Sequence, residues 1–167
     1  AEHKASHHQD SQEAPLETIN DLPSALERAV YKRMPSPHQP VGLFLSGGLD
    51  SSLIAAIASQ LRDDITYFTL GDEESADHRA VNAVIDALGL TDVRSIPLPR
   101  PDQLPRLIRD VVYATESFNP SIISNGLATF ILARAARDAG IKVKRTIMPG
   151  STFWNDWSKY PFSSTNW

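Results

Sequence analysis

Between Val41 and Leu61 a compact apolar run, Val-Gly-Leu-Phe-Leu, breaks at Ser46-Gly47-Gly48, and apolar residues return at Leu53, Ile54, Ala56 and Ile57 with helical spacing. This is a strand, a glycine turn and a helix. It constrains the fold more than any other segment, because a strand that hands over directly to a helix belongs to a crossover leading to a parallel neighbour. The rest of the chain has the same rhythm. Ile65 to Leu70 (ITYFTL) reads as a second strand. Ala76 to Leu88 reads as a helix with Ala80, Val81, Val84, Ile85 and Leu88 on one face and Gly89 as its stop. Val93 to Leu98 reads as a third strand, closed by Pro97 and Pro99. Further helices are predicted around Leu104 to Val112 and over Leu127 to Ala139, ending at Gly140. A first helix begins near Asn20, carries Leu22, Ala25, Leu26, Ala29 and Val30, and stops at Pro35 and Pro37. Strands alternating with helices predict an α/β fold, a doubly wound parallel sheet with helices on both faces.

Composition supports a folded domain and excludes several classes. The 167 residues suit one domain, and 41% hydrophobic with 22% charged residues is far from the balance of a disordered chain. A net charge of −4 gives no electrostatic basis for nucleic-acid or anionic-membrane binding. The absence of Cys removes disulfides, Cys-ligated zinc and thiol nucleophiles. No apolar run is long enough for a spanning helix, so the expected setting is a reducing cytoplasm. Residues 1–19 read as a flexible lead-in, with His3, His7 and His8 as part of a solvated tail rather than a metal patch. At the other end, six of the thirteen aromatic residues fall in the last fifteen positions, so residues 148–167 form an atypical aromatic-rich tail.

The chemistry concentrates in Ser46-Gly47-Gly48-Leu49-Asp50-Ser51-Ser52. Glycines at the junction of a buried strand and a helix leave backbone N–H groups and the positive end of the helix dipole facing the crevice at the carboxyl end of the sheet. Phosphate oxygens are favoured there. Gly47 and Gly48 permit close approach, and Ser46, Ser51 and Ser52 add hydroxyls. Asp50 would repel bound phosphates unless a magnesium ion lay between them. An ordinary tight turn with an N-terminal helix acid is the bland alternative. The segment lacks GxxxxGK[ST] and GxGxxG, which argues against a Walker loop and a dinucleotide site.

SGGLDSS after VGLFL resembles the pyrophosphate-binding loop of the ATP pyrophosphatases (PP-loop proteins). Among these it is most similar to the synthetase domain of class B asparagine synthetases, a group that includes β-lactam and carbapenam synthetases and lasso-peptide cyclases. Three further stretches agree in order. They are Phe68-Thr69-Leu70-Gly71, Asp110-Val111-Val112-Tyr113 leading to Glu116-Ser117-Phe118-Asn119, and Leu132-Ala133-Arg134 leading to Ala139-Gly140-Ile141-Lys142-Val143. The resemblance implies an adenine nucleotide alpha hydrolase-like fold over residues 20–147, incomplete at its C-terminal end. It also implies a ligase that uses ATP and Mg2+ to adenylate a carboxylate, aspartate by default, before an amine displaces AMP. Carried onto this chain, Ser46, Gly47, Gly48, Ser51 and Ser52 would hold the pyrophosphate, Asp50 would bind the metal, and Leu45 and Leu70 would contact adenine. Glu116 would lie near the acyl substrate, its alternative being a surface acid after a helix.

Two departures limit what carries over. By the resemblance, a glutaminase with an N-terminal Cys precedes this region in glutamine-dependent relatives; these 167 residues have no Cys, and the expectation is that the glutaminase domain is absent. Relatives also continue after the Gly140–Val143 stretch with a motif of the SGEGADE type, which supplies a second metal carboxylate and an essential acid. Here Lys144 to Gly150 stands in its place. Three cations in Ile141 to Ile147 (IKVKRTI) also suit a central parallel strand poorly. The expectation is a truncated or mis-spliced synthetase fragment with impaired activity. The alternative is a non-catalytic interaction or regulatory module that keeps the nucleotide-binding fold and contacts a protein partner through Phe153, Trp154 and Trp157. A third class, the NAD and GMP synthetases and tRNA-modifying enzymes that share the loop, fits the VGLFL and Glu116 segments less well.

Overall fold

A computed structural model of the chain describes residues 21–71 and 75–143. The lead-in at 1–19, the segment 144–147 and the aromatic tail at 148–167 lie outside the described residues. The elements follow in the order α1 (Leu22–Arg33), β1 (Val41–Phe44), α2 (Leu49–Leu61), β2 (Ile65–Leu70), α3 (Ala76–Leu88), β3 (Val93–Ile96), α4 (Leu104–Thr115) and α5 (Pro120–Asp138). The three strands form one parallel sheet in the order β1-β2-β3, with Val41 opposite Ile65 and Tyr67 opposite Val93.

Side-chain alternation along β2 divides the layers. Ile65 and Tyr67 point into one cluster with Val41, Leu45, Ala55 and Ala58 of α2, and Val81 of α3, so α2 and α3 cover that face. Phe68 points the other way, is fully buried, and lies on the face where α5 packs against β2. Gly42 lets β1 pass close to this side, since a Cβ there would sit 2.9 Å from Ile141 Cδ1 and 3.0 Å from the Phe68 ring. Helices on both faces of a parallel sheet are the architecture the alternating pattern predicts.

Several boundaries follow local chemistry. Ser75 caps α3 by accepting from the His78 backbone N–H at 3.0 Å, and Gly89 ends it in the left-handed region at φ 63°. Arg62 fixes the entry to β1. Its guanidinium donates to the carbonyls of Ser36, Pro37 and Gln39 at 3.1–3.3 Å and to Asp64 at 2.6 Å. The Asp64 hydrogen bond raises the Arg62 pKa and lowers that of Asp64.

One boundary is corrected. α5 begins at Pro120 rather than Leu127, because Asn119 Oδ1 accepts from the Ser121 N–H at 2.9 Å and Pro120 supplies a helical φ at the first position. Apolar periodicity is weak over that first turn and hides its start. The stretch from Ile141, whose cations suit a central parallel strand poorly, has no ladder over 141–143. There Gly140, at φ 83°, donates to Arg137 O and Ile141 N donates to Ala136 O, a Schellman closure of α5 that uses the Ile141 N–H.

Candidate functional site

Because the sheet is parallel, α2 and α3 both start at its carboxyl edge, and the segment between β1 and α2 lies where these starts meet. β1 is extended one step beyond its strand pairing by Leu45 N donating to Phe68 O at 2.8 Å. The Leu45 side chain is buried in the core beneath the turn. The backbone then turns through Gly47 at φ 75° and enters α2 with Gly48 as N-cap. Only glycine suits position 47 on two grounds. Its φ is left-handed, and a Cβ would lie 2.8 Å from Val81 N and 3.0 Å from Ala80 Cβ. The second turn of α3 therefore presses directly on the loop. Sequence reasoning did not find this contact. The only local signal was the small side chain of Ala80, whose partner lies more than thirty residues earlier.

The serines predicted to bind a ligand are brought together, and they also brace the loop. Ser46 Oγ accepts from the Gly48 N–H at 3.3 Å and lies 2.9 Å from Ser51 Oγ. Ser51 Oγ accepts from the Ser46 N–H at 3.2 Å and donates to Gly48 O at 3.1 Å. Ser52 Oγ donates to the same carbonyl at 2.7 Å, and the Ser52 N–H closes the first helical turn onto it at 3.0 Å. With the hydroxyls engaged within the loop, the backbone N–H groups of Gly47, Leu49, Asp50 and Ser51 have no acceptor among the described residues. Together with the helix dipole they form a positive pole suited to an anion.

Asp50 stands in that first turn, exposed, as the acid of the helix start. Leu70 is half-buried at the end of β2, one strand over from the loop. Glu116 is the exposed left-handed residue, φ 52°, that ends α4 and turns the chain into α5. Among the described residues no group of three or more His, Asp or Glu side chains could hold a metal by protein ligands alone. No helix among the described residues is long and apolar enough to cross a membrane.

Comparison with known proteins places this geometry in a lineage. The asparagine synthase family pattern matches residues 21–144. The chain is 37% identical over 119 residues, 70% of its length, to a probable glutamine-hydrolyzing asparagine synthetase of Acanthamoeba polyphaga mimivirus. It is 35% identical over 119 residues, 71% of its length, to a carboxyethyl-arginine beta-lactam-synthase of Streptomyces clavuligerus. Over 131 residues, 72% of its length, it is 34% identical to the root asparagine synthetase of Pisum sativum. It spans 21–23% of the length of these relatives. The strand, the glycine turn pressed by α3 and the serine-braced helix start all lie inside the matched region, and on that match the chain belongs to the asparagine synthase family.

Proposed function

We propose that this chain carries the nucleotide-binding part of a synthetase that activates a carboxylate with ATP. The observation that supports the reading best is the Ser46–Ser52 loop, where N–H groups without an acceptor stand at a helix start on a backbone already braced by its own serines. In the proposed reaction a carboxylate oxygen attacks the α-phosphorus of ATP, the bond to the pyrophosphate oxygen breaks, and an amine then displaces AMP to leave an amide. Charge accumulates on the departing pyrophosphate. The first-turn N–H groups of α2 bind and stabilise it without reorganising, as an oxyanion site does. Bound magnesium would neutralise part of the same charge, with Asp50 as its protein ligand. Leu45, at the foot of the loop, and Leu70, at the end of β2, are assigned to the adenine side. Aspartate is the default acyl substrate, and Glu116 is assigned to the acyl side.

The test is titration calorimetry of the 167-residue chain with ATP, with and without magnesium. Weak, magnesium-dependent binding is expected, and Asp50→Ala removes the metal dependence while leaving the fold intact. Absent binding, or a metal dependence unchanged in Asp50→Ala, refutes the reading. Little turnover is expected because no carboxylate lies between Lys144 and Gly150. Strong ATP–pyrophosphate exchange with aspartate would overturn that part.

A further inference from the structure

On the other face of the sheet, a concavity of about 560 Å3 lies between the chain leaving β3, the start of α4 and the end of α5. Its volume is in the range of roughly 300–1,000 Å3 typical of small-molecule sites. α4 and α5 form an antiparallel pair in which Gly126 admits Val111 Cγ1, 3.2 Å from where a Cβ would stand. This packing brings the first turns of α4 beside the last turns of α5.

The walls are apolar, from Ile96, Leu98, Leu107 and Ile131, and five charged side chains stand among them. Two of the five are already used. Asp102 pairs with Arg100 at 3.4 Å and Asp138 with Arg137 at 2.9 Å, and neither arginine lines the concavity. The other three are Arg106, Asp110 and Arg134. Among the described residues the side chains of Arg106 and Asp110, one turn apart on α4, have no ion pair or hydrogen bond. Arg134 lies 6.0 Å over the Phe130 ring, a contact that uses its face and leaves its N–H edge available. An apolar hollow with two uncommitted cations and one uncommitted anion is complementary to a molecule with an apolar body, a carboxylate and an ammonium group.

We propose that this concavity binds a short zwitterionic peptide with apolar side chains. Arg106 and Arg134 take its terminal carboxylate, and Asp110 takes its terminal ammonium. A single amino acid would leave much of the volume empty, whereas a dipeptide fills more of the apolar wall. This inference is independent of the nucleotide reading, because it uses other residues on the other face and needs neither ATP nor magnesium.

The experiment is an NMR titration of the full chain with L-leucyl-L-leucine, its N-acetylated form and its C-terminal amide, in the absence of nucleotide. Binding is expected to shift amides of α4 and α5 and not those of Ser46–Ser52. Loss of one charge-assisted contact should weaken it by about ten-fold or more, so each capped peptide binds correspondingly worse. In Arg106→Gln the penalty for amidation shrinks, and in Asp110→Asn the penalty for acetylation shrinks, each leaving the other penalty in place. The proposal is overturned if the dipeptide does not bind, if capped and uncapped forms bind alike, if the shifts fall on the glycine loop, or if the two variants do not sort the two penalties. Unchanged circular dichroism spectra show that these surface variants fold.

Discussion

Replacing Gly47 with alanine tests the claim that α3 holds the loop by direct backbone contact. Two costs combine at this position. A non-glycine residue at φ 75° carries the left-handed penalty of about 1–2 kcal/mol. The added Cβ must also be accommodated 2.8 Å from Val81 N and 3.0 Å from Ala80 Cβ. The first of these is backbone, so α3 or the loop has to move, and overpacking of this kind costs about 1–3 kcal/mol. Gly47→Ala should therefore destabilise the chain by roughly 2–5 kcal/mol. Gly89→Ala provides the control. Its φ of 63° carries the same backbone penalty, but a Cβ there meets nothing within 4 Å. Urea denaturation of both variants, with m-values checked for constancy, isolates the contact as the difference between them. If Gly47→Ala costs no more than Gly89→Ala, α3 does not press on the loop and the account of the site is wrong.

Two further predictions concern parts of the fold that carry the site. Asp92 has its pKa lowered, first by the hydrogen bond from Thr66 Oγ1 at 2.6 Å and then by Arg94, so it contributes stability above the ordinary carboxylate pKa of about 4 and loses that contribution as the pH falls through its lowered value. In urea titrations from pH 7 to pH 2, Thr66→Val should be less stable than the wild type at neutral pH and converge towards it in acid; a gap independent of pH would contradict this. Asn119→Ala removes the cap of α5 and should cost about 1 kcal/mol, with amide exchange quickening first at Ser121 and its neighbours; uniform quickening throughout α5 would point to a different role.

The sequence made the strand–helix alternation legible because each element there is read from its own neighbours. Ile65–Leu70 and Ala76–Leu88 are found at the predicted bounds, the second because Ser75 and Gly89 mark its ends. The glycine turn was legible for the same reason. What was not legible depends on residues distant in the chain or on chemistry that overrides periodicity. The contact of Gly47 with Ala80 and Val81 joins segments separated by a whole βα unit. The start of α5 is set by a cap rather than an apolar stripe, and the exit at Ile141 is set by a helix closure made through backbone groups that the residue pattern does not show. The uncommitted charges of the α4–α5 concavity are visible only once Asp102 and Asp138 are seen to have partners elsewhere.

β1 has one ladder among the described residues, the parallel pairing with β2, although it is the strand that delivers the chain to the loop. Among the described residues the persistence of the loop in time therefore rests on that seam, on the pressure of α3 and on its serine bracing, while β2 is held from both sides. Opening β1 alone would dissolve the site without melting the rest of the sheet. In hydrogen exchange this would place β1 and the start of α2 in a less protected unit than β2, as expected where cooperative units differ in stability. Any molecule that settles on the N–H groups of α2 would then report its presence as slower exchange along β1, several residues away from anything it touches.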